Sequence, residues 1–172
     1  MHPPILSALR AATLAIGLLA THAALAGPQE ELNKSLARRV YEEGLNRGIF
    51  TVPYTPDFVG HAGNGTFTRE GSLAEARGWR QAFPDLRMNI DLIVAENDLV
   101  AVRWTATGTN TGSGNGIPAT GKAVKATGQA TFRFVDGRIA EEWATGDTIG
   151  IMRQLGLLPP RTSVPRVQAA SQ

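Results

Sequence analysis

The sequence predicts an α+β domain, two helices followed by a meander of antiparallel strands whose curved sheet is covered on one face by those N-terminal helices. Three observations lead there. Apolar residues recur at helical spacing between Glu30 and Leu45, and again between Thr68 and Phe83. After Pro84 the period changes from 3.6 to 2. Asp136-Gly137, a strong two-residue turn signal, stands between two alternating runs.

The first helix carries Leu32, Leu36, Val40, Tyr41 and Leu45 on one side, and Gly44 and Gly48 mark its end. Pro53 and Pro56 interrupt the next stretch, leaving Phe58-Val59 as a short apolar piece with room for a strand. Thr68-Arg69-Glu70-Gly71-Ser72 reads as a helix start. Leu73, Ala76, Trp79, Arg80 and Phe83 continue that helix until Pro84 stops it.

Met88, Ile90, Leu92 and Val94 alternate with more polar neighbours, as do Val100, Val102, Trp104 and Ala106. A three-residue loop at 96–98 would pair Val94 with Val100, Leu92 with Val102 and Ile90 with Trp104. A two-residue loop would set Leu92 against Arg103, so three is the expectation. Residues 108–120, rich in Gly, Thr, Ser and Asn, read as a loop. The third strand runs over 122–135 and the fourth over 138–148. One sheet face is apolar, so the helices must cover it. A strongly curved sheet covered in this way leaves a cavity.

The first 26 residues have the layout of a secretory signal. Arg10 precedes an apolar run, and Ala24-Leu25-Ala26 supplies the small residues of a cleavage site after Ala26. The expectation is an exported protein, periplasmic or secreted, with one domain over 27–158 and a disordered, proline-containing tail over 159–172. No second apolar run of spanning length occurs downstream, so no stable membrane association is expected after cleavage. Without Arg10 the chain has 16 basic and 15 acidic residues and no basic cluster, which argues against a nucleic-acid partner. Cysteine is absent, which excludes a thiol nucleophile or thiolate metal site. Beyond residue 26 only His61 remains of three histidines, which excludes a multi-histidine metal centre.

The candidate chemistry is carboxylate-based. Counting from an Asp136-Gly137 turn, Phe134 faces Ile139, Phe132 faces Glu141 and Ala130 faces Trp143. Asp147 then shares the inner, helix-covered face with Glu141, Trp143 and Thr145, unless a bulge intervenes. Burial there would raise its pKa toward general acid/base use. An Asp before Thr148 is equally suited to capping a helix. Trp79, Phe83 and Trp104 read as core or cavity lining. Gln129, Tyr54 and His61 are the candidates for stabilising an oxyanion.

The chain resembles the SnoaL-like polyketide (ester) cyclase family of the nuclear transport factor 2-like fold. The resemblance is carried by Tyr41-Glu42-Glu43-Gly44-Leu45-Asn46-Arg47-Gly48, Pro56-Asp57-Phe58-Val59-Gly60-His61 and Ala82-Phe83-Pro84-Asp85-Leu86. Further along it is carried by Gly116-Ile117-Pro118-Ala119-Thr120-Gly121-Lys122 and by the segment from Glu141 to Leu157 with its Gln154-Leu155-Gly156. It implies a cone-shaped α+β barrel with an apolar pocket and one catalytic aspartate, here Asp147. It implies no metal and no organic cofactor. Substrate-binding positions would be His61, Trp79, Phe83, Trp104, Phe132 and Trp143, holding a hydrophobic small molecule. A homodimer packed through the outer sheet face would use Thr105, Thr107, Thr127, Gln129 and Thr131.

Members often read Glu-His-Trp-Asp where this chain has Glu141-Glu142-Trp143-Ala144, and by parity Glu142 and Ala144 would point outward. Export argues against an intracellular polyketide intermediate as substrate. Three functions remain: an ester cyclase-type enzyme acting by aldol cyclisation or isomerisation of a hydrophobic carbonyl compound, a non-catalytic exported small-molecule-binding module, or hydrolysis by water activated at the same Asp147 carboxylate, which would need several polar groups around that water.

Overall fold

The computed structural model describes residues 27–160 with the exception of Asn64. The expected signal segment and nearly all of the expected tail lie outside the described residues. Helix α1 (Pro28–Arg39) starts with Pro at its first position, where a missing N–H costs nothing. The Glu30 carboxylate accepts hydrogen bonds from the Gly27 N–H at 2.8 Å and from the Asn97 N–H at 2.8 Å, which ties the helix start to the sheet. The helix continues into a π-helical turn, Val40–Leu45. Strands β1 (Tyr54–Ala62) and β2 (Gly65–Phe67) come next. Helix α2 (Arg69–Ala82) is capped by Thr68, whose Oγ1 accepts from the Gly71 N–H at 3.3 Å. The remaining elements are β3 (Arg87–Glu96), β4 (Leu99–Thr109), β5 (Ala123–Val135), β6 (Arg138–Gly146) and α3 (Thr148–Leu155).

The six strands form one curved, unclosed sheet in the order β2-β1-β6-β5-β4-β3. It is not wholly antiparallel, because β1 runs parallel to β6. The apolar piece at Phe58-Val59 is the centre of a nine-residue strand. Pro56 is tolerated because the β1–β6 register shifts between Tyr54 and Val59, where ladder donors are not required.

The β3–β4 hairpin departs from expectation. Its turn is two residues, Asn97-Asp98, with Asn97 at φ 57°, a left-handed conformation that asparagine tolerates. The pairs are Ala95 with Val100, Ile93 with Val102 and Leu92 with Arg103. A register shift between Ile90 and Leu92 then restores Ile90 opposite Trp104. Asp91 sits in that irregularity, where its carboxylate accepts from Thr105 Oγ1 at 2.8 Å. Leu92 and Val94 therefore face outward, while Ile93 and Ala95 pack against the core.

The core lies between the concave sheet face and the helices. Val100, Val102, Phe132, Ile139 and Leu155 are fully buried in it. The 108–120 loop docks on α2 through the buried Asn110. Asn110 Nδ2 donates to the carbonyls of Ala82 (3.0 Å) and Gly112 (2.9 Å), and its Oδ1 accepts from the Thr120 N–H (2.9 Å) and Oγ1 (2.9 Å). A Cβ on Gly112 would run into the Gln81 carbonyl, so only glycine permits this approach. The docking buries Ile117 and forms one wall of the cavity.

Candidate active-site cavity

One irregularity in β6 decides what faces the cavity. Asp136 (φ 48°) and Gly137 (φ 71°) make the expected turn, and Phe134 pairs with Ile139 as expected. The register then shifts: Arg133 pairs with Glu141 and Phe132 with Glu142. The extra residue is Ala140. A one-residue bulge reverses every later side chain, so Glu142 and Ala144 point inward and Glu141 and Trp143 outward. This corrects the facing expected for all four.

The cavity between sheet and helices has a volume of about 970 Å³, at the upper end for small-molecule sites. Trp104 forms part of its floor. Cβ atoms on Gly128 and Gly146 would strike or crowd its indole, so bare backbone at these two positions lets the ring lie flat. Trp79 and Phe83, with ring centroids 6.0 Å apart, line the helical side. Gly60, opposite Glu142 on β1, is bare because the Phe67 ring occupies the place of a side chain.

Among the polar groups of the cavity wall are Glu142 on β6, Tyr54 on β1, Tyr41 on the π-helical turn, and Arg69 and Glu75 on α2, with Glu142 electrostatically coupled to the other four. Burial pushes the Glu142 carboxyl up to about 7; the Glu75 charge adds to the rise and Arg69 opposes it. No group among the described residues donates a hydrogen bond to it. Burial holds the Tyr41 and Tyr54 hydroxyls well above the usual phenol range, with the Glu142 charge as the next cause, so both stay protonated donors. The Arg69 guanidinium lies 3.7 Å over the Tyr54 ring. Glu75 accepts from Trp79 Nε1 at 3.2 Å.

The expected site residues separate. Trp79, Phe83 and Trp104 line the cavity. Phe132 is fully buried and lies edge-on to Tyr41 in the core, without lining the cavity. His61 and Trp143 are on the outer face, stacked at 5.2 Å with 7° between ring planes. Glu141 is also outside, where Arg133 Nε at 2.6 Å holds its carboxyl below the usual range. Asp147 is exposed and outside the cavity, in the capping arrangement that the sequence left open. Its Oδ1 accepts from the Gly150 N–H at 2.8 Å, at the start of α3. Of the oxyanion candidates, Tyr54 reaches the cavity, whereas Gln129 and His61 do not.

The sequence reading missed Glu142, Arg69 and Glu75. A signal for the first was present: with two adjacent glutamates in a strand, one faces inward whatever the register. Among the described residues no three His, Asp or Glu side chains come together as metal ligands.

Residues 35–155 match the family profile of SnoaL-like polyketide cyclase. No curated protein matches the chain in sequence. Several solved structures do share its fold. AclR from Streptomyces galilaeus, a candidate hydroxylase, is 30% identical with a TM-score of 0.69, over 80% of this chain and 91% of its own. IdmH from Streptomyces antibioticus, a candidate polyketide cyclase, is 31% identical with a TM-score of 0.63, over 72% and 98%. A SnoaL-like protein from Jannaschia sp. CCS1, at 24% identity and a TM-score of 0.69 over 77% and 97%, shares the fold. With its curved, unclosed sheet and covering helices, this chain belongs to the SnoaL-like polyketide cyclase family, on the nuclear transport factor 2-like fold.

Proposed function

We propose that the cavity performs cofactor-free proton transfer on a hydrophobic carbonyl compound, with Glu142 as the group that takes and returns the proton. The observation that carries this is the Glu142 carboxyl in a mostly apolar cavity with its pKa raised to about 7, poised between acid and base near neutral pH. As carboxylate it removes a proton from the carbon beside the carbonyl, leaving an enolate. In an isomerisation the protonated Glu142 returns that proton to another carbon. In an aldol cyclisation the enolate carbon attacks a second carbonyl of the same molecule, and the new alkoxide takes the proton back. Tyr54, a protonated donor on the same wall, can hydrogen-bond the charged oxygen. The chemistry suits the family and the candidate cyclase IdmH.

The protein works outside the cytoplasm after removal of residues 1–26, as a pair of chains joined through the outer sheet face. Leu92 (56% exposed), Val94 (50%) and Trp143 (40%) support that pairing. Light scattering at twice the chain mass is the expected result.

Deuterium uptake at C1 of 2-tetralone, an apolar bicyclic ketone, tests the chemistry. Glu142→Gln should lose most of a catalysed rate that a positioned base raises roughly 10²- to 10⁴-fold, and Asp147→Asn should keep it. The reverse pattern would make Asp147 the base, as the family resemblance implies. Binding without uptake by the native protein would indicate a binding module.

A further inference from the structure

We propose that the cavity takes apolar molecules bearing an anionic oxygen, a carboxylate, phenolate or enolate, and that Arg69 is the residue that holds it. Arg69, the first residue of α2, is half-buried in the cavity wall. Its guanidinium offers five N–H donors. Among the described residues no carboxylate stands within ion-pair distance of it, and no acceptor takes its hydrogen bonds. Arg39, also on the cavity wall, is satisfied: it donates to Glu43 at 3.0 Å and to Thr51 at 2.7 Å. The Arg69 nitrogens remain accessible from the cavity, so water or a bound oxyanion can take these hydrogen bonds. The guanidinium carbon sits 3.7 Å over the Tyr54 ring, a cation–π contact that uses none of the N–H donors. Those donors stay available to a planar oxyanion, which an arginine fork binds bidentately.

The groups electrostatically coupled to Arg69 are Glu142 from β6, Tyr54 from β1 and the exposed Glu70 beside it on α2, while Glu75 and Tyr41 line the same cavity. Tyr41 and Tyr54 stay neutral, and Glu75 is engaged by Trp79. While Glu142 is protonated, an arriving anion meets Arg69 against only the charges of Glu70 and Glu75, which are the same with Glu142 protonated or ionised. Once Glu142 ionises, the anion meets a repelling charge. The flat floor at Trp104 and the rings of Trp79 and Phe83 suit a planar apolar body. This inference rests on the proton-transfer reading in one respect: the enolate oxygen formed when Glu142 removes a proton is the anion Arg69 would hold.

The probes are 2-naphthoate and its neutral isostere 2-naphthamide, titrated by calorimetry at about pH 6 and about pH 8.5, on either side of the Glu142 transition. Native protein at the lower pH should bind naphthoate about tenfold more tightly than naphthamide, and the preference should shrink several-fold at the higher pH. Arg69→Met should abolish the preference while retaining naphthamide; if it does not fold, Arg69→Gln serves the same purpose. Glu142→Gln should keep the preference at both pH values. Equal binding of the two probes by native protein, or a preference that survives loss of Arg69, would overturn the inference. Those results leave tetralone exchange by Glu142 untouched, and failure of that exchange leaves the naphthoate preference untouched.

Discussion

Glu141 and Glu142 are adjacent in sequence and point to opposite sides of the sheet, Glu141 to Arg133 on the outside and Glu142 into the cavity. The bulge at Ala140 decides which of them is inside. Without it, Glu141 would face the apolar wall and Glu142 the solvent. A single extra residue thus selects the carboxyl with the raised pKa.

That raised pKa has a consequence for stability. Folded Glu142 holds its proton up to about pH 7, whereas its ordinary value is 4.5. Between those values the folded state binds more protons than the unfolded one, so this group's stabilising contribution is full below pH 4.5 and declines as pH rises to 7. The loss is on the order of 1–3 kcal/mol for a half-buried group. Glu142→Gln should therefore be more stable than the native protein at about pH 8 by that amount and nearly equal to it at about pH 4. Urea unfolding at the two pH values checks this; a variant equally shifted at both would contradict it.

Asp147 should behave as a helix cap. Removing its carboxylate in Asp147→Ala leaves the Gly150 N–H unpartnered and should cost about 1 kcal/mol. Chemical denaturation measures that loss, and naphthamide affinity should be unchanged because Asp147 lies outside the cavity.

Gly128→Ala tests the floor. Its new Cβ would collide with the Trp104 indole and stand 2.5 Å from the Thr145 carbonyl oxygen. The indole must swing into the cavity, at a cost of roughly 1–3 kcal/mol. Weaker naphthamide binding and altered tryptophan fluorescence should accompany the loss.

Asn110→Ala should detach the 108–120 loop from α2. Its buried amide serves two carbonyls and accepts two donors. Leaving buried groups unpaired costs roughly 2–3 kcal/mol. Faster amide exchange at Thr120 and Gly121, whose N–H groups bond the Asn110 carbonyl, is the local readout.

Much of the fold was legible because its signals are local. Helical spacing placed α1 and α2, Thr68 and Pro84 bounded α2, and Asp136-Gly137 placed the last turn. What the sequence concealed were the register shifts of the β3–β4 and β5–β6 pairs. Neither Asp91 nor Ala140 carries a residue-type signature of a bulge, and each is settled by tertiary packing: which of Leu92 and Ile93, or Glu141 and Glu142, best fits the core. Parity counting carries a single missed bulge to every later position, so Glu141, Trp143 and Asp147 all read as inward when they lie outside. Side chains set by helix geometry escaped this error, as Trp79 and Phe83 show.

The most direct test of the central claim is the pKa of the Glu142 side chain, read by NMR from its labelled carboxyl carbon. A midpoint near pH 7 is expected, moving down in Glu75→Gln and up in Arg69→Met because those charges raise and lower it respectively. A midpoint near the ordinary 4.5, insensitive to both substitutions, would contradict the account.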